Sequence, residues 1–163
     1  MTDTGVEGPT EALFYHLERQ PLDKVLPSLV ERTLERGWRA VVQAGSKERL
    51  AALDTLLWIY RDDSFLAHGT AADGSPRDQP VYLTLDADNP NGAAVRFMVD
   101  GARADAGQWA GAMLTYRRAV VIFDGSDTDA VAAAREQWQF ARKSGCAVTY
   151  WQQGEDGRWM KRA

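Results

Sequence analysis

The chain has 163 residues, 45% hydrophobic and 26% charged, with a formal net charge of −4. That length suits one domain with a substantial core. The acidic balance excludes a protein that coats nucleic acid through a globally cationic surface, although local basic patches are compatible with it.

The opening MTDTGVEGPTE is acidic and lacks the charged-then-apolar pattern of a secretory signal. It reads as a disordered lead-in over residues 1–10, ahead of one domain over 11–163. No apolar run approaches the roughly 20 residues of a membrane span, so no membrane partner is expected. The lone Cys146 cannot form an internal disulfide, which suits a reducing cytoplasm.

EALFYHL (11–17) is short, apolar and aromatic, as a first strand should be. In PLDKVLPSLVERTLERG, Leu22, Val25, Leu26, Leu29, Val30, Thr33 and Leu34 recur at three- and four-residue steps. They predict an amphipathic helix closed by Gly37, with Pro27 in its first turns. WRAVVQAG (38–45) predicts a strand, and SKERLAALDTLLWIY a helix capped by Ser46.

The segment between Gly69 and Gln79 is polar with Gly and Pro, a surface loop. PVYLTLDA (80–87) and AAVRFMVDG (93–101) predict two strands joined by the turn-forming DNPNG. RRAVVIFDG (117–125) is the most hydrophobic strand. DTDAVAAAREQWQFARKSG follows as a helix capped by Asp127 or Thr128, and AVTYWQQ with RWMKR forms a closing strand or hairpin. Alternation of strands and helices predicts an α/β fold: a single-domain, open, twisted, mostly parallel sheet with helices on both faces.

The chemistry such a sheet often carries is missing its parts. AGSKERL has Gly45 and Lys47, but Val41 stands where a phosphate loop needs its first glycine. DADNPNG places its glycine one position late for a calcium loop, and Phe97 occupies the closing-ligand position. His16 and His68 have no companion at metal-ligand spacing, so no metal and no cofactor is expected. Asp124, Asp127 and Asp129 crowd one strand-to-helix turn. They leave open a small magnesium-dependent α/β enzyme using Asp124 and Asp127, against the alternative of helix capping.

Two aromatic groupings stand out. LLWIYRDDSFLAHG (56–69) sets Trp58, Tyr60 and Phe65 around a charged run, the composition of a core edge or of a protein–protein anchor. On the last helix, Val131, Ala134, Trp138 and Ala141 form one stripe, while Phe140 lies about 200° from Trp138 at 3.6 residues per turn. One of those rings is expected at the surface near Arg135, Gln139, Arg142 and Lys143. There it would accept an acidic peptide with an apolar end.

Taken together, FYHL, ERGWRAVVQAGSKERLAALDTLLWIYRDDSFLAHG, QPVYLTLDADNPNGAAVRFMVDGA, YRRAVVIFDG and AREQWQFARKSGCAVTYWQQ make a sequence that resembles the chi subunit of bacterial DNA polymerase III, over nearly all of Glu11 to Gln153. The set LDxLLW…DDSFLxHG, NPNG and FDG…AREQW is specific only as a combination. The resemblance implies a non-catalytic accessory subunit of the clamp-loader assembly, with a nucleotide-binding-like fold that holds no nucleotide. It implies a link between the replicase and single-stranded-DNA-binding protein (SSB), whose acidic, phenylalanine-ended tail is gripped. Contact with DNA is then indirect.

Carried over, the tail site comprises Phe123, Asp124, Arg135, Trp138, Gln139 and Arg142. A second surface, with Trp58, Tyr60, Phe65, Leu66 and His68, docks the psi subunit or another clamp-loader component. Val131 and Gln139 stand where some relatives carry lysines, which shifts the expected burden to Arg135, Arg142 and Lys143.

Overall fold

The computed structural model describes residues 8–18, 20–59 and 68–163. Among them, one sheet runs through β1 (Glu11–Leu17), β2 (Ala40–Gln43), β3 (Gly69–Thr70), β4 (Val81–Thr84), β5 (Val95–Met98), β6 (Arg118–Asp124), β7 (Ala147–Gln153) and β8 (Trp159–Lys161). The spatial order is β3-β4-β2-β5-β6-β1-β7-β8. Every pairing is parallel except the β7–β8 hairpin.

Helices α1 (Leu22–Glu35) and α2 (Lys47–Ile59) cover one face, where Val25, Leu26, Val30, Leu53 and Leu57 join the buried cluster. The short α3 (Ala106–Trp109) and the long α4 (Thr128–Lys143) cover the other, through Trp109, Ala134 and Ala141. This is the open, mostly parallel α/β sheet that the alternation predicts. The central strand β6 is buried from Ala119 to Phe123, as a parallel strand covered on both faces must be.

Local signals explain where the helices start. The Ser46 Oγ accepts from the Arg49 N–H at 3.2 Å, and Asp127 accepts from the Asp129 and Ala130 amides at the head of α4. Pro27 lies in the second turn of α1 and is buried. It cannot donate to the Asp23 carbonyl one turn back, so the helix tolerates one missing bond in exchange for apolar packing.

The 80–101 region departs from the sequence expectation. β4 and β5 are not neighbours joined by a tight turn: β2 lies between them and both pair with it in parallel. Residues 85–94 therefore cross from the carboxyl end of one strand to the amino end of the other without a helix. Buried Arg96 compensates for the absent helix. Its guanidinium donates to the Asp88 carbonyl at 2.9 Å, the Asp86 carbonyl at 2.5 Å, the Gln43 Oε1 at 2.6 Å and the Tyr116 hydroxyl at 3.1 Å. At the far end, Asn91 donates to the Ala40 and Gln79 carbonyls.

Candidate functional site

Strands β1 and β6 are neighbours whose chains leave the sheet to opposite faces, β1 into α1 and β6 into α4. Such a divergence leaves a crevice at the carboxyl ends of the strands. A cleft of about 850 Å³ occupies it. Six carboxylates line this cleft (Glu18, Asp23, Asp100, Asp124, Asp127 and Asp129) against two guanidiniums, Arg49 and Arg103. Arg49 is already paired with Asp100 at 3.0 Å. A cleft so charged repels acidic ligands.

Two of those carboxylates are engaged structurally. Asp124 accepts from the Ser126 amide at 2.9 Å and the Ser126 hydroxyl at 2.7 Å. These two bonds hold its carboxyl below the ordinary carboxylate pKa. Asp127 caps α4. Among the described residues, no group of three or more His, Cys, Asp or Glu side chains is disposed to hold a metal ion.

The opposite flank of α4 has another character. At about 100° per residue, Val131, Arg135 and Arg142 all fall within about 60° of Trp138. Trp138 meets Phe14 edge-on at 5.4 Å and Tyr150 at 5.9 Å. Tyr150 in turn meets Phe123 at 6.1 Å, and its hydroxyl bonds the His16 Nδ1 at 2.5 Å. His16 fits here because residue 125 is glycine: a Cβ there would lie 1.8 Å from the His16 Nε2. Burial pushes the Tyr150 hydroxyl pKa up, and the nearby Arg135 cation acts against that. Arg135 and Arg142 are exposed and make no ion pair among the described residues.

The expected tail residues are thus divided. Arg135, Trp138 and Arg142 share one flank. Phe123 touches that flank through Tyr150 while also lining the cleft, Asp124 belongs to the cleft rim, and Gln139 is exposed about 100° further round from Trp138. The expectation that either Trp138 or Phe140 stands at the surface is corrected: both are half-buried against the same cluster. The buried seam runs through Gln137, and the two rings bracket it.

Gln137 was not singled out by pattern. Its Oε1 accepts from the Trp109 Nε1–H at 2.8 Å and the Ala104 amide at 3.0 Å, while its Nε2 donates to the Ala104 carbonyl at 2.8 Å. One side chain therefore fixes α4 to α3 and to the loop before it. A polar residue inside an apolar stripe was the available signal. Tyr150 and His16 were likewise missed as parts of the ring wall, because their contacts join strands far apart in sequence.

On the other face, Trp58 is 53% and Ile59 71% exposed at the end of α2. The Trp58 ring lies 4.8 Å from the His68 ring. His68 is buried, its Nε2 2.9 Å from the Asp54 carboxylate, so it supports the indole from beneath. Tyr60, Phe65 and Leu66 lie outside the described residues. Among those described, no helix is long and apolar enough to cross a membrane.

Comparison with known proteins gives two findings. The family model described as DNA polymerase III chi subunit, HolC, matches residues 10–149. A protein named probable DNA polymerase III subunit chi, from Rickettsia prowazekii (strain Madrid E), is 28% identical over 85 residues, 52% of each chain. The chain thus spans about half the length of that curated relative.

Proposed function

The chain belongs to the DNA polymerase III chi subunit family, and from that premise we propose that it is a non-catalytic accessory subunit of the clamp-loader assembly. In this role it links the replicase to SSB by gripping that protein's acidic C-terminal tail. The observation that carries the proposal is Arg135: exposed, without an ion pair among the described residues, and on the same flank of α4 as the Trp138–Tyr150 ring pair. A carboxylate of the tail pairs with Arg135 and Arg142, while its terminal phenyl ring packs against Trp138. The acidic cleft on the other flank repels the tail and so confines it to the basic side. A second contact, to psi or another clamp-loader component, uses the exposed Trp58 and Ile59.

The test is titration of the protein with a peptide carrying the acidic, phenylalanine-ended tail. Arg135→Ala should weaken binding by about 1.5–3 kcal/mol, roughly 10- to 150-fold, and added salt should weaken it further. In the free protein the same substitution should raise the Tyr150 pKa, because it removes a cation that lowers it. A tyrosinate absorbance titration reads that shift. Binding absent at low salt, or unchanged in Arg135→Ala, refutes the proposal.

A further inference from the structure

The buried strand residues of the cluster beneath α1 and α2 come from β1, β2, β4, β5 and β6, and Tyr15, Trp38 and Trp159 of β8 pack against its edge. At that end of the same face, Tyr15, Trp151 and Trp159 are left half-buried. Tyr15 stacks on Trp151 with centroids 6.4 Å apart and planes at 17°, and meets Trp159 edge-on at 5.0 Å. Trp38, just past the end of α1, is half-buried too. Three guanidiniums surround its ring: Arg36 at 5.5 Å, Arg117 at 5.4 Å and Arg118 at 5.5 Å.

Arginines connect the two aromatic stations. Burial raises the Tyr15 hydroxyl pKa, and the cations of Arg118, Arg32 and Arg36 act against it, so all three lie within electrostatic reach of that ring. Lys161 is exposed directly opposite Trp151 in the β7–β8 register. Acidic residues near this strip include Glu11, which pairs with Arg118 at 3.0 Å, Glu31 and Glu35 on α1, and Glu155 and Asp156 in the β7–β8 turn beside Trp159, where Asp156 pairs with Arg158 at 3.6 Å.

We propose that this strip, with Trp38, Tyr15, Trp151 and Trp159 as rings and Arg32, Arg36, Arg117, Arg118 and Lys161 as cations, binds single-stranded nucleic acid directly. Each nucleotide offers one π-face and one phosphate, the two groups that rings and guanidiniums in alternation recognise. An acidic peptide would use the cations and leave most of the rings idle. A duplex keeps its bases stacked inside, out of reach of rings set in a sheet. From β6 to β8 the strip crosses three strand spacings of about 4.8 Å, roughly 14 Å. That holds a few nucleotides, so binding is weak and tolerant of sequence. Trp151 and Trp159 lie beyond the residues matched by the family model. The strip occupies the face opposite α4 and stands independently of the tail site.

The experiment uses the whole protein and labelled oligo-dT of about 16 nucleotides, read by anisotropy and by tryptophan quenching at low salt. Saturable binding is expected, with a log–log salt slope of about −2 to −3 from three or four phosphate contacts. Arg36→Glu and Arg32→Glu, both at exposed positions, should each weaken binding roughly tenfold, and Trp159→Ala should reduce the quenching. Arg135→Glu should leave the oligonucleotide affinity unchanged while abolishing tail-peptide binding, which separates this proposal from the preceding one. Three results would overturn it: no anisotropy change at low salt, affinity indifferent to Arg36→Glu and Arg32→Glu, or equal affinity for a polyglutamate peptide or a duplex of matched charge.

Discussion

Replacing Gln137 with methionine isolates what holds α4 in place. The volume is nearly conserved, so no cavity opens, but the side chain loses both its acceptor and its donor. Three groups lose their partner together: the Trp109 Nε1–H, the Ala104 amide and the Ala104 carbonyl. A buried polar group left without a partner costs about 1–3 kcal/mol. Gln137 borders the open cleft, so water reaches some of the exposed valences and the total falls toward the lower end, about 3–5 kcal/mol. Urea denaturation followed by tryptophan fluorescence should show the midpoint falling with an unchanged slope. A loss under about 1 kcal/mol would refute the view that this amide, rather than the apolar seam alone, fixes the helix.

Two further outcomes are expected. Gly125→Ala sets a methyl group where the His16 ring now lies, 1.8 Å from the Nε2. It should cost about 1–3 kcal/mol in melting experiments, and the double variant Gly125→Ala/His16→Ala should lose less than the two single losses combined; full additivity would contradict the contact. The Asp124 carboxyl has a folded-state pKa below its ordinary 3.8, chiefly through Ser126. Its contribution to stability is therefore full above that ordinary value and lost as pH falls through the lower one. Asp124→Asn should flatten that part of the acid limb in urea midpoints compared between about pH 5 and about pH 3. A limb of unchanged steepness counts against the assignment.

Fold class, the helix caps and most strand positions were legible because they rest on local chemistry: Ser46 and Asp127 cap where a polar side chain meets an apolar period, and the β6 sequence is apolar on both faces. Strand neighbours were not legible. DNPNG reads as a tight turn, and only Arg96 and Asn91, reaching across to segments remote in sequence, reveal that it ends a crossover over β2. The same limit applied to the site. Arg135 and Trp138 announced themselves on one helix, whereas Tyr150 joins them only because β7 pairs beside β1. Net charge also concealed structure: an overall −4 combines an acidic cleft with a basic strip on the face away from α4.

The position of β1 has a consequence for biogenesis. It is synthesised first, yet its two neighbours are β6 and β7, with Glu11 opposite Arg118 on one side and Ala147 on the other. At about 5–20 residues per second, a ribosome needs on the order of 5–20 s to deliver the first of those partners. Until then β2, β4 and β5 can zip together on their own, while Phe14 and the ladder groups of β1 stand bare. The unpaired β1 is thus a point of vulnerability to self-association while the sheet is incomplete, and a holdase that shelters residues 11–17 would protect it.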